Sequence, residues 1–217
     1  MVDRTAALGL VVAVAIAGCG TAPSGPRHLV LEASSAVGYP CVLHDPAGWP
    51  ENFIVRQSIE LRSSHGHGQL DAVMQKRGDT LLVIGLGPMS TRLFTLAQRG
   101  QRVDFEQAAG PELPFSPRNI LVDVHRVFFK ALPHPPGEVS GVLHGYLDGE
   151  AVEETWENGQ LRRRSFTRPG TGFHGAVRVE YGDGCRGDRC QPGEVTVFNE
   201  WFDYTLTIAN NDYEMLD

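Results

Sequence analysis

The sequence has no apolar run long enough to cross a membrane as a helix. Its most hydrophobic stretch, Ala6 to Ala17, falls well short of the roughly 20 residues that a spanning helix needs. There is no Gly-x-x-x-x-Gly-Lys and no strand-to-helix glycine fingerprint, which excludes the common nucleotide-phosphate cradles. Ser90, in Pro88-Met89-Ser90-Thr91, lacks the flanking glycines of a nucleophile elbow, and no His/Asp order supports a hydrolase. Carboxylates fall at strand and turn positions opposite bases, so no catalytic residue is named and the chain reads as a non-enzyme. C-x-x-C is absent. His65-Gly66-His67 sits on a glycine-rich tip with the other histidines scattered singly, whereas a stable metal site needs three or four convergent ligands. Neither a metal nor a cofactor is therefore expected. Basic residues are scarce: 19 Lys and Arg against 26 Asp and Glu give a net charge of −7 over 217 residues. With no basic stripe to offset that balance, a nucleic-acid partner is excluded.

What is present begins at the N-terminus. Arg4 supplies a thin positive flank, and Ala6 to Ala17 has the length of a signal-peptide apolar region. The run Ile16-Ala17-Gly18-Cys19 resembles a bacterial lipobox. That resemblance implies a signal peptide over residues 1–18 and a Cys19 acylated by palmitate-type chains. Gly20, rather than Asp, after the cysteine implies sorting to the outer membrane, facing the periplasm. Each buried methylene contributes about 0.8 kcal/mol, and two chains suffice for stable anchoring, so the first expected partner is the membrane. Residues 19–28 read as the acylated cysteine and a Gly, Pro, Ser and Thr-rich tether, and residues 29–217 as one domain. In an oxidising compartment the economical disulfide joins Cys185 to Cys190 across a short polar loop. Cys41 is then the odd thiol, although its pairing with either distal cysteine stays open.

From Phe53 the pattern is that of strands. Phe53, Val55, Ile59 and Leu61 share one face while Arg56, Ser58, Glu60 and Arg62 share the other, the alternation of a half-buried antiparallel strand. Leu70–Lys76, Thr80–Leu86, Thr91–Gln98 and Arg102–Gln107 continue a meander across turns at Arg77-Gly78-Asp79 and Arg99-Gly100-Gln101. Ser116 and Pro117 then open one amphipathic helix, with Ile120, Leu121, Val124, Val127 and Phe128 at helical spacing; it ends near Lys130, before Pro133, Pro135 and Pro136. Strands resume as Glu150–Glu157 and Gln160–Thr167 about the hairpin signal Asn158-Gly159, a register that sets Trp156 opposite Leu161, Glu154 opposite Arg163 and Glu153 opposite Arg164. The Arg162-Arg163-Arg164 run is thus a charge-matched strand rather than an anion site. Ala176–Tyr181, Val195–Phe198 and Tyr204–Ile208 complete about ten strands and one helix. The class is mainly β (α+β), an open antiparallel sheet that can curl into a cup covered by its helix.

Four segments, the lipobox, Leu43-His44-Asp45-Pro46 leading into Phe53-Ile54-Val55-Arg56-Gln57, Gly85 through Leu96, and Leu113 through Asp123, together resemble an uncharacterised bacterial lipoprotein family related to the LolA/LolB lipoprotein carriers and receptors. The resemblance covers most of the chain from Leu43. It implies an eleven-stranded half-barrel with a helical lid over an apolar cavity that accepts acyl chains. Candidate cavity residues are Leu93, Phe94, Phe105, Leu121, Val124 and Phe128. Gly87-Pro88-Met89 falls where the receptors carry a protruding apolar loop, which makes Met89 a candidate membrane contact. The plainer alternative, slightly preferred, is a hairpin loop whose methionine folds back onto the core. His28 to Pro50 carries breaks near Gly38, Pro40 and Pro46 in place of the receptors' first helix. The expected ligand is an acyl chain of a lipid or lipoprotein, with a role in envelope localisation. The alternative is an interaction module that docks another envelope protein and fills its own cup.

Overall fold

The computed structural model describes residues 27–31, 39, 42–64, 66–109, 116–133, 140–170, 175–186 and 193–217. Cys19, Cys41 and Cys190, with the leader and the proposed disulfide, lie outside them. No helix among the described residues is long and apolar enough to cross a membrane.

Among the described residues, one antiparallel sheet of twelve strands carries the fold. The strands are β1 (Arg27–Leu31), β2 (Asn52–Ser63), β3 (Gly66–Arg77), β4 (Thr80–Leu86), β5 (Arg92–Arg99), β6 (Arg102–Gln107), β7 (Gly141–Leu147), β8 (Glu150–Glu157), β9 (Gln160–Thr167), β10 (Ala176–Arg186), β11 (Glu194–Asn199) and β12 (Tyr204–Leu216). Between β6 and β7 lies the helix α1 (Pro117–Val124), prolonged by a π-turn at His125–Phe129. The spatial order is β1-β6-β5-β4-β3-β2-β12-β11-β10-β9-β8-β7. Two meanders therefore meet where β12 pairs with β2, and among the described residues β1 and β7 are the edges.

The sheet exceeds the expected ten or eleven strands because β1 and β7 had no sequence signal. β1 is five residues long and starts at Arg27, two residues inside the expected tether. β7 opens on Gly141 and carries Gly145 in its interior, which weakens any alternation. β12 extends to Leu216 rather than stopping near Ile208.

The sheet rolls around α1. His125 Nε2 lies 2.8 Å from Gln98 Oε1 on β5, while the next residue, Arg126, bonds Glu150 on β8 at 2.8 Å. Those strands are eight places apart in the sheet order, roughly 38 Å if the sheet were flat. Two neighbouring helix residues can touch both only if the sheet closes about them as an open half-barrel. Bulges supply part of that curvature: register shifts occur at Gly85/Leu86, Thr155/Trp156, Glu180/Cys185 and Asn210/Asp212.

The Thr155/Trp156 bulge corrects the expected hairpin register. Trp156 does face Leu161, but beyond the bulge Glu154 faces Arg164 and Thr155 faces Arg163. The Arg run is still charge-matched: Arg164 binds Glu154 at 2.7 Å, Arg163 binds Glu153 at 3.3 Å and Arg162 binds Glu157 at 3.3 Å. Asn158 and Gly159 take positive φ of 51° and 73°, as a two-residue type I′ turn requires.

The inner face of the sheet is the core. Leu81, Leu96, Val103, Val177, Val179, Val195 and Val197 on the strands are wholly buried, with Leu121 and Val122 of α1. Gly85 permits the closest approach within it, since a Cβ there would stand 2.3 Å from the Phe94 ring. Gly85→Ala is therefore expected to displace Phe94 and to lower the unfolding free energy by about 1–3 kcal/mol, read by urea denaturation.

Candidate functional site

α1 is held inside the cup by ionised side chains rather than by apolar contact alone. Asp123 accepts from Tyr39 at 2.5 Å, Asn199 Nδ2 at 3.0 Å, Arg126 Nη1 at 2.9 Å and the Tyr204 hydroxyl. Arg126 makes a forked contact with Glu150, Nη2–Oε1 2.8 Å and Nε–Oε2 3.2 Å, and its guanidinium lies 4.7 Å from the Tyr39 ring centroid. Burial opposes the Arg126 charge, but Tyr39, Asp123 and Glu150 outweigh it and raise its pKa above the usual value. Burial, followed by the Asp123 charge, pushes the Tyr39 and Tyr204 phenols well up, so both stay protonated donors.

A second buried set caps the far end of the helix. The π-turn closes with an i→i+5 bond from Lys130 N–H to His125 O at 2.8 Å. Terminal carbonyls need outside donors. Arg164 Nη1 donates to Arg126 O at 3.1 Å, and the Tyr181 hydroxyl donates to Val127 O at 2.9 Å. Glu154 in turn accepts from Arg164, from Trp156 Nε1 at 3.0 Å and from Leu132 N–H at 3.1 Å.

His125 fastens the other flank. Its Nδ1 accepts from His44 N–H at 3.1 Å, so Nε2 carries the proton and donates to Gln98 Oε1. Gln98 Nε2 then donates to His44 O and Gly100 O, each at 2.8 Å. Burial, reinforced by the nearby charges of Lys130 and His44, lowers the His125 pKa from 6.5 to about 3.

These clasps close one end of the β2–β5 meander and leave the other open. At the end carrying the β3–β4 turn, Trp49 stacks on Phe129 at 3.7 Å, and Phe53 lies between Phe129 and Tyr213 at 6.0 and 5.7 Å. Lys76 Nζ ties Trp49 O to that end at 2.5 Å. At the opposite end the inward residues Ile59, Leu61, Leu70, Phe94 and Leu206 are only partly buried. The Gly87–Thr91 loop stands there. Met89 is 97% exposed and holds a positive φ of 56°, so it does not fold back onto the core, and that alternative is corrected.

A model of the family described as protein of unknown function (DUF3261) matches residues 55–212, from within β2 to within β12. The chain belongs to the DUF3261 family. Among solved structures, this DUF3261 chain is similar to a LolA superfamily protein from Nitrosomonas europaea, 13% identical, over 78% of this chain and 88% of that one with a TM-score of 0.45. It is similar as well to a domain described as outer membrane lipoprotein-sorting from Vibrio parahaemolyticus, 9% identical, over 78% and 87% with a TM-score of 0.49. No curated protein matches. The half-barrel architecture stands on the strand register above rather than on these likenesses.

In this family member the sequence-derived cavity residues fall into three groups. Phe105 and Leu121 are core, 3% and 0% exposed, and Phe94 reaches Phe105 from the open end at a centroid distance of 6.3 Å. Val124 and Phe128, with Ile120, form a partly buried stripe along the helix, packed against the core. Leu93 lies at the β-bulge, close against Gly87. Sequence reasoning missed the polar clasps: Arg118, Asn119, Asp123, His125 and Arg126 are all buried, with Glu150 and Glu154. One signal was available, since Glu150, Val152, Glu154 and Trp156 share one phase of the strand alternation, which places two acids on the core face.

Two outcomes test the clasps. Glu150→Ala removes one of the two carboxylates that meet the buried Arg126 guanidinium and leaves Asp123 alone to compensate it, and should lower the unfolding free energy by about 3 kcal/mol in urea titration. For His125 the folded pKa lies below the unfolded value, so the unfolded chain takes up the proton first. Stability is full above about pH 6.5 and falls as pH drops toward 3, with a slope approaching about 1.4 kcal/mol per pH unit. His125→Gln should flatten the slope between about pH 6.5 and pH 5 in stepped-pH urea unfolding.

Proposed function

We propose that the protein is a non-enzymatic lipoprotein, anchored to the outer membrane through Cys19, which takes the acyl chain of a lipid or lipoprotein at the open end of its half-barrel and serves envelope localisation. The observation that carries this reading is the gradient along the inner face. Phe53, Val55, Met74, Leu81 and Leu96 are 0–6% exposed toward the closed end, whereas Ile59, Leu61, Leu70, Phe94 and Leu206 are only partly covered at the other. Partly exposed inward apolar side chains in a concave wall are the usual lining of an apolar ligand site. The polar clasps fix α1, so entry is by the open end beside the Met89 loop rather than by swinging the helix. Met89 there meets the bilayer and hands the chain to Phe94, Val124 and Phe128.

An interaction module is the second reading, favoured by the β7 edge, where Val142 and Tyr146 are 49% and 73% exposed. Unpaired strand edges of this kind recruit partner strands.

Native mass spectrometry of gently purified protein should show a bound lipid that Phe94→Glu removes. A clean apo mass from the wild type, with an envelope protein recovered by crosslinking in cells, would replace the first reading by the second. The Cys19→Ser protein should be released from the membrane yet still carry the lipid. Met89→Asp in that background should weaken its binding to vesicles about tenfold or more, the loss of one buried methionine.

A further inference from the structure

The outer face of the sheet bears a pocket of about 600 Å³, within the roughly 300–1,000 Å³ range of small-molecule sites. Outward side chains of β2 (Ser58, Glu60), β3 (Gln69, Asp71) and β12 (Thr207) line it, and the loop carrying Pro88, Met89 and Ser90 forms its lip. Strand register makes this wall continuous: Ser58 faces Asp71 and Glu60 faces Gln69 across β2–β3, and Thr207 faces Glu60 across β12–β2. These positions alternate with the inward Val55, Gln57 and Ala72, so the polar wall lies on the outer face, and the pocket also touches Ile59 and Leu70 of the cup's open margin.

Its charge is one-sided. Two carboxylates line the pocket and no Lys, Arg or His does. Glu60 is held by Arg62 at 2.8 Å, on the exposed surface beside the pocket. Asp71 has no cation partner among the described residues. Its Oδ1 accepts from the Ser58 hydroxyl at 2.9 Å, and Asn211, the extra residue of the β12 bulge, donates to Ser58 Oγ at 2.8 Å. That relay orients one Asp71 oxygen and leaves the charge for a ligand. Glu60 and Asp71 are diagonal neighbours on one face of an antiparallel pair, a separation of roughly 7–8 Å between Cα atoms. One small donor group can reach both.

We propose that this pocket binds a primary ammonium group. An –NH3⁺ carries three donors and no acceptor, which matches two carboxylates backed by the Gln69 carbonyl and the Thr207 and Ser90 hydroxyls. A quaternary ammonium has the charge without the donors and is excluded. The group arrives on the ethanolamine head of a phospholipid lying against the Met89 lip, or on a free diamine. The site goes beyond the acyl-binding reading and does not depend on it, so Phe94→Glu leaves it intact.

Calorimetric titration of the purified protein with 1,4-diaminobutane, and co-sedimentation of the Cys19→Ser protein with phosphatidylethanolamine against phosphatidylcholine vesicles, test it. Saturable diamine binding assigns the site to free amines, and preference for ethanolamine vesicles assigns it to the headgroup; either supports the proposal. Asp71→Asn should then weaken the binding observed about tenfold or more, the loss of one charge-assisted hydrogen bond, and Glu60→Gln should weaken it as well. Asp79→Asn, in the β3–β4 turn outside the pocket, should leave it unchanged. No diamine binding together with equal sedimentation on both vesicles overturns the proposal, as does an Asp71→Asn protein that binds like the wild type.

Discussion

Arg126 is wholly enclosed, and most of the architecture is arranged so that it can be. A guanidinium removed from water costs several kcal/mol unless its charge and donors are met. Here the partners come from three directions: Asp123 one turn back on the helix, Glu150 at the start of β8, and Tyr39 from the segment ahead of β2. Asp123 in turn draws in Asn199 of β11 and Tyr204 of β12. Moving α1 by a turn within the cup would break both sets together. The network therefore selects one seat for a helix whose apolar residues alone would accept several, and the sheet must roll far enough to bring β8 to it.

That seat divides the cup. The β8–β12 wall is occupied by the ionised network and by the Arg164–Glu154 pair, while Trp49, Phe129 and Phe53 stop one end of the β2–β5 wall. What is left is an apolar margin at the opposite end, with Phe94 over Gly85 and the Met89 loop beyond. Rigidity and accessibility are thus separated in space. The margin lies apart from every buried ion pair described above.

Much of the β architecture was legible because alternation in a half-buried strand is a direct imprint of which face is wet. Phe53, Val55, Ile59 and Leu61 declared the inner face of β2, and Asn158-Gly159 declared the β8–β9 turn. The helix was legible as an element but not as an environment. Asp123 and Arg126 look like the polar side of an amphipathic helix, and on an isolated face they would be. Here the rolled sheet together with Tyr39, His44 and Trp49 encloses both sides of α1, so its polar side faces protein. The Thr155/Trp156 bulge was not legible either, because one inserted residue changes which charges face each other without changing composition.

By itself the sequence determined an open antiparallel sheet with one helix, the turns that join most of its strands and a lipobox-like run ending at Cys19. These follow from local periodicity, turn chemistry and motif spacing, which neighbouring residues settle among themselves. Tertiary structure alone decided that Arg126 is interior, that Met89 stands clear of the core, which end of the cup is stopped, and that Ser58, Glu60, Gln69, Asp71 and Thr207 share a pocket. Each depends on strands distant in the chain becoming neighbours through β12 and β2, a pairing across more than 140 residues that no local pattern encodes.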